Sequence, residues 1–234
     1  MELFFIPEFH PSQAEVVLSA EESRHALRVY RKSPGELIYL TDGKGHLIHG
    51  EIAQTRNHLA RIAVRKVEFH PFPRENQLEV GIAIIRPNRM DWAVEKLTEL
   101  GVQRIVPLLC QYNSIRQIKT EHLRKVMISA LKQSRQFYLP ELLPPVLFPD
   151  WLKQITGSRT RRFLAHPTHQ PSPLTDPLPP VDHLTLAIGP EGGFHPREVE
   201  AAQQNGFQLL PLGSTTLRTE TAAVVATTLL KFWR

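Results

Sequence analysis

The chain holds a single cysteine, Cys110, among 234 residues. That excludes an internal disulfide and any cysteine-based zinc cluster. Set in the apolar stretch Ile105 to Cys110, the thiol is expected to pack in a core instead of acting as a nucleophile. No apolar run approaches the roughly eighteen residues needed to cross a bilayer. The N-terminal MELFFIPEFHPSQ lacks the basic start and long apolar core of a secretory signal, so a soluble, cytoplasmic protein without a membrane partner is expected. The eleven histidines form no HExxH pair and no Cys/His spacing, and no metal site is expected.

The length allows two modest domains. A formal charge of +5 and a pI near 9.5 favour an acidic partner, a weak signal that a solvated basic surface explains equally well. Residues 1 to about 66 read as short strands around one helix. Leu3 to Ile6 is apolar, Glu21 to Tyr30 suits a helix, and Glu36 to Leu40 alternates before the turn Thr41-Asp42-Gly43-Lys44-Gly45. His46 to Ala53 and His58 to Val67 continue as strands. Such a unit fits a partly open barrel, a shape often used to hold RNA. The proline-rich run His70 to Asn76 marks a boundary, giving expected domains of 1–70 and 71–234.

Beyond it the pattern changes. Leu78 to Ile85 is a β-branched run of the kind buried in parallel sheets, and Met90 to Leu100 is an amphipathic helix stopped by Gly101. Val102 to Leu109 reads as a strand and Glu121 to Gln136 as a helix. Phe163 to Ala165, Leu184 to Ile188 and Phe207 to Leu212 read as strands, with helices after the last two. This alternation argues for an α/β domain with a largely parallel sheet. The proline-laden stretches Pro140 to Pro149 and Pro167 to Pro180 are expected to be surface crossings. Trp92 and Trp151 are expected in a core or an interface.

Two loops carry the strongest signal. IGPEGGF, Ile188 to Phe194, follows an apolar strand and precedes a helix framed by Pro196 and Gly206. GSTTLRTETA, Gly213 to Ala222, follows the next strand and feeds a small-residue helix ending at Phe232 and Trp233. Neither has the spacing of a P-loop or of a dinucleotide fingerprint. Strands that end in such loops present backbone N–H groups to a ligand, and two neighbouring loops suggest one pocket.

IGPEGGF followed by LG and LRTETA resembles the C-terminal signature of the RsmE-type rRNA methyltransferases, of the SPOUT class. The similarity extends over essentially the whole chain: His25, Arg28, Val29, Arg31, Gly35, Asp42, Gly43 and Gly45 at the N-terminal end, MDWAVEKLTELGVQRIVPL (Met90 to Leu108) in the middle, then Gln133, Ser134 and Pro140. Leu3, Ser129, Lys132 and Gln136 depart from the family's common residues. The resemblance implies a knotted (deep trefoil) methyltransferase domain, a smaller N-terminal PUA-like β-barrel domain that binds RNA, and a homodimer. The implied activity is methyl transfer from S-adenosyl-L-methionine to N3 of a uridine in 16S rRNA of the small ribosomal subunit.

The cofactor would be held by three segments. These contribute Ala165 and His166; Ile188, Gly189, Pro190, Glu191, Gly192 and Gly193; and Leu212, Gly213 and Leu217. Glycines let the backbone approach the ligand, and a side chain at Gly192 is expected to intrude. His166 is expected to position its loop or pack in the core instead of acting as a base. Arg218 is the expected catalytic group: its guanidinium cannot serve as a base at rest but can hydrogen-bond the uracil oxygens that gain charge. Pairing with Glu220 or Glu191 is the structural alternative for Arg218, and Glu220 either orients it or accepts the proton. Arg24, Arg28, Arg31 and Lys32 would meet RNA phosphates, unless they form only a solvated helix face. Two other functions compete: another knotted-fold RNA methyltransferase with a different target, and a non-catalytic RNA-binding ribosome-assembly protein.

Overall fold

A computed structural model describes residues 2–72, 75–155, 157, 159–168, 172, 174 and 181–232. Trp233, most of the 167–180 stretch and part of the 70–76 run lie outside them. The chain divides into two compact units, one of Met1–Phe72 with Ile128–Leu139, the other of Pro73–Met127 with Pro140–Arg234.

The first unit contains β1 (Leu3–Phe5), β2 (Glu15–Val17), α1 (Ala20–Arg24), β3 (Leu37–Thr41), β4 (His46–Arg56) and β5 (Leu59–Phe69). The sheet order is β1-β3-β4-β5-β2, antiparallel except for the β1–β3 pair. Apolar residues at alternate strand positions, such as Ile38 with Leu40 and Ala60 with Ile62, fill one core with Phe4 and Leu18. The turn between β3 and β4 closes on Asp42, whose Oδ1 accepts the Lys44 and His46 N–H groups (2.8 and 3.2 Å).

The expected helix over Glu21–Tyr30 is helical as far as Val29 but changes type, with α1 passing into a π-helical turn at His25–Val29. There the Tyr30 N–H reaches back five residues to the His25 carbonyl (3.0 Å). Lys132, one of the departures from the family pattern, forms a buried ion pair with Glu22 of α1.

The second unit contains β6 (Gln77–Ala83), α2 (Pro87–Glu99), β7 (Arg104–Leu109), α3 (Thr120–Ser134, whose last residues belong to the first unit), β8 (Glu141–Leu142), β9 (Val146–Leu147) and α4 (Phe148–Gln154). It continues through β10 (Thr160–Ala165), β11 (His183–Ile188), α5 (Pro196–Gln204), β12 (Phe207–Leu210) and α6 (Thr219–Phe232). All pairings in its sheet are parallel, in the order β12-β10-β11-β6-β7-β8, with β9 also on β7. The expected parallel α/β sheet is therefore present.

In α2, Pro87 starts the helix, and Met90, Ala93, Val94 and Leu97 recur on its buried face. Gly81 of β6 allows close packing, since a Cβ there would lie 2.7 Å from the Trp151 ring. The expectation of a bare surface crossing at 140–149 is corrected: this stretch holds β8, β9 and the start of α4, with Phe148 and Trp151 buried in the core. Pro149 sits in the first turn of α4, where its missing N–H costs no hydrogen bond. Trp151 is a core residue, while Trp92 is 42% exposed. Cys110 is buried, and desolvation raises its pKa.

Candidate active site

Strands β10, β11 and β12 are parallel neighbours, so their C-terminal ends gather three loops at one edge of the sheet. The His166 N–H donates to the Leu210 carbonyl (3.2 Å), joining the first loop to the end of β12. In the second loop the Gly193 N–H donates to the Pro190 carbonyl (2.8 Å), closing a tight turn. The Thr219 hydroxyl donates to the Gly189 carbonyl (2.9 Å), tying that turn to the start of α6. Between the loops lies a cleft of about 190 Å³.

Ala165, His166, Ile188, Gly189, Pro190, Glu191, Gly193, Leu212, Gly213 and Leu217 all line this cleft. Gly192 does not; a Cβ there would point toward Tyr112, 3.3 Å from its Cβ. Gly193 has φ +74° and Gly213 φ +125°, each with open space where a side chain would stand. Backbone is therefore exposed to a ligand at both positions. Gly189 is restricted differently, because a Cβ would come within 2.9 Å of the Phe194 ring. Phe194 also lines the cleft and belongs to the core beneath it, so the loop is anchored from below. Burial lowers the His166 pKa and favours its neutral imidazole.

Arg218 follows cleft-lining Leu217 and is exposed, with no ion pair among the described residues. Its expected alternative partners are held by another residue. Arg89 of α2 donates from Nη1 to Glu191 (2.7 Å), and its Nε lies 3.6 Å from Glu220 Oε1. Glu220 is buried, and its Oε2 has no hydrogen-bond partner among the described residues. The arrangement combines a glycine-walled cleft, an exposed arginine in the chain between the lining residues Leu217 and Thr219, without an ion pair among the described residues, and two carboxylates held by a second arginine. It suits a ligand with both apolar and polar parts and a reaction in which negative charge develops near Arg218.

Residues 73–231 match the family described as the RNA methyltransferase domain, and residues 18–62 match the RNA methyltransferase PUA domain. The chain belongs to the RNA methyltransferase family. This methyltransferase is 26% identical to the ribosomal RNA small subunit methyltransferase E of Buchnera aphidicola, across 97% of this chain and 94% of that protein. The crystal structure of a ribosomal RNA small subunit methyltransferase E from Neisseria gonorrhoeae bound to S-adenosyl methionine is similar with a TM-score of 0.89 and 28% identity, covering 100% of this chain and 98% of that one. A probable rRNA-methyltransferase from Porphyromonas gingivalis gives 0.87 and 31%, covering 97% and 96%.

In the PUA-matching part of the methyltransferase, Arg24 and Arg28 are exposed around the α1–π-helical segment and Arg31 just beyond it. Lys32 is more buried and lies 3.5 Å from Glu2, so its charge is partly engaged. Sequence reasoning did not anticipate Arg89. It is separated from Glu191 by 102 positions, and such a pairing leaves no local pattern. It also did not place Thr219 and Ala222 at the cofactor, although both line the cleft and fall inside the GSTTLRTETA run.

Proposed function

We propose that this protein is an S-adenosylmethionine-dependent methyltransferase that modifies N3 of a uridine in 16S rRNA of the small ribosomal subunit. The observation that carries the reading is the cleft formed by the three strand-end loops, with exposed Arg218, which has no ion pair among the described residues, in the chain between the lining residues Leu217 and Thr219. Open space before the Gly193 and Gly213 backbones fits a ligand pressed against main chain. The residues that would hold the cofactor are Ala165, His166, Ile188, Gly189, Pro190, Glu191, Gly193, Leu212, Gly213 and Leu217, with Gly192 shaping the turn from behind. S-adenosylmethionine supplies a methyl group already activated by its sulfonium.

Arg218 then hydrogen-bonds the uracil oxygens as N3 loses its proton, stabilising the charge that makes the nitrogen nucleophilic. Arg89 holds Glu191 and approaches Oε1 of Glu220. The unpartnered Oε2 of Glu220 supports two roles for that carboxylate, orienting Arg218 and taking up the N3 proton, and a pH–rate profile of Glu220→Gln separates them.

The 71–234 part is read as the catalytic domain, with a deep trefoil knot. Placement of β10 between β11 and β12 supports an interleaved chain path. The 1–70 part is read as a PUA-like barrel that binds RNA through Arg24, Arg28, Arg31 and Lys32. A homodimer is supported by exposed Trp92 and Phe232 on α2 and α6, two helices that pack together. Among the described residues no helix is long and apolar enough to cross a membrane, and a substrate in the small ribosomal subunit supports the reading of a cytoplasmic enzyme.

The test maps 16S rRNA from a deletion strain. One N3-methyluridine should be absent and should return when purified protein and S-adenosylmethionine are added to the undermethylated small subunits. Failure to restore it overturns the reading.

A further inference from the structure

Behind the Gly192 turn the second unit carries another concavity, a groove of about 300 Å³. Its apolar surface comes from Leu109, Phe148 and Pro149, and Arg116 and Arg197 also line it. Both arginines are exposed, and neither has an ion-pair partner among the described residues. The one carboxylate in the lining, Glu198, is buried and already occupied. Its Oε1 accepts the Gln111 N–H (2.9 Å) and its Oε2 accepts the His195 N–H (2.9 Å). The groove therefore faces outward as two uncompensated cations beside an apolar surface.

Tyr112 follows the lining residue Gln111, and His195 lies two positions before the lining residue Arg197. Their rings lie 5.5 Å apart, and Tyr112 is 48% exposed. Tyr112 also stands against Gly192, whose neighbour Gly193 lines the cleft.

We infer that this groove binds a single-stranded stretch of the RNA substrate flanking the target uridine, with phosphates on Arg116 and Arg197 and a neighbouring base stacked on Tyr112. The inference rests on the RNA methyltransferase reading and adds a second contact surface, distinct from the basic residues of the first unit. Charge complementarity selects the occupant: a polyanion satisfies both guanidiniums, and its flat bases suit the exposed ring and the apolar surface. Since the same turn contributes to the cleft and supports Tyr112, RNA seated here would hold the target base near the cleft opening.

The experiment uses the full chain and a short single-stranded oligouridylate. RNA affinity is measured across a salt series, and S-adenosylmethionine affinity is measured separately. The double variant Arg116→Glu/Arg197→Glu should bind RNA at least about tenfold more weakly and lower the magnitude of the salt slope by about 1.4, the value for two lost phosphate contacts on a single strand. Arg116→Gln/Arg197→Gln should lower the slope similarly with a smaller loss of affinity, which guards against misfolding caused by charge reversal. Tyr112→Ala should weaken binding about tenfold with the slope unchanged. Cofactor affinity of both arginine variants should stay at the parental value.

An unchanged slope in both arginine variants overturns the proposal, including the case in which the groove captures an acidic peptide instead. Failure of the parent protein to bind S-adenosylmethionine would overturn the methyltransferase reading, while the RNA measurements would still decide the groove.

Discussion

In the second unit the candidate chemistry sits where parallel strands end, whereas in the first the basic residues lie on and just beyond a short helical segment. The cleft loops are fixed by specific bonds: Thr219 to Gly189, Gly193 to Pro190, and Arg89 to Glu191. Exposed Arg24, Arg28 and Arg31 have no ion-pair partners among the described residues. Fixed groups can stabilise a reaction at one point in space, while mobile surface charges supply attraction over a broad area. Substitutions in the first setting should therefore act steeply and individually, and those in the second gradually and in proportion to salt.

The largest effect is expected at Arg218. Arg218→Ala should slow single-turnover methyl transfer about a hundredfold or more, the scale for losing one preorganised charge stabiliser. Cofactor affinity should hardly change, and Arg218→Lys should rescue poorly because an ammonium cannot reproduce paired planar donors. A near-normal rate for the alanine variant would remove the catalytic assignment and the contrast built on it.

Next comes Gly189→Ala. Its Cβ would crowd the Phe194 ring, and overpacking of about 2 kcal/mol corresponds to about thirtyfold weaker cofactor binding if the loop yields. Gly192→Ala, facing Tyr112, should bind cofactor nearly normally in the same titration calorimetry. Equal losses at the two positions would show that the loop responds as a whole, not residue by residue.

Arg89→Ala should reduce the rate about tenfold through loss of positioning. Arg89→Lys should recover part of it, since an ammonium restores a cation against Glu191 and Glu220.

Smaller still are Arg28→Glu and Arg31→Glu. Each should weaken RNA binding severalfold and reduce the salt slope by about 0.7 to 0.9 per phosphate contact, without changing cofactor affinity. A hundredfold effect at either would mean that the first unit also holds a fixed contact.

The least effect belongs to His166. Burial lowers its pKa, so the unfolded chain takes up a proton that the folded one resists. Its contribution is present above the ordinary value of 6.5 and is lost as pH falls through the lowered folded value. His166→Asn should remove a small part of the acid-side fall in thermal stability.

Much of this was legible in residue order. The β-branched run of β6 and the glycine loops after β11 and β12 announce a parallel sheet with a site at its edge, because burial on both faces and close backbone approach each restrict residue type. Two-residue strands such as β8 and β9 have no room for periodicity, and prolines obscured the seven-residue α4 beside them. The Arg89 bridge and the Glu22–Lys132 pair unite positions far apart in the chain, so neighbouring residues carry no trace of them. Gly192 was legible as part of a tight turn, but which side of that turn meets the cleft depends on backbone direction.

The recruitment of residues 128–139 into the first unit has a consequence for the order of assembly. The Gly45 N–H bonds the Phe137 carbonyl, the Leu139 N–H bonds the Gly43 carbonyl, and the Tyr138 hydroxyl bonds the His70 carbonyl. A nascent chain that has completed β5 still lacks these partners, and more than fifty further residues must leave the ribosome before the β3–β4 turn can receive them. The amino-terminal unit is thus finished only after residues 73–127 of the second unit have been made, so protection of that turn should lag well behind the emergence of its own residues.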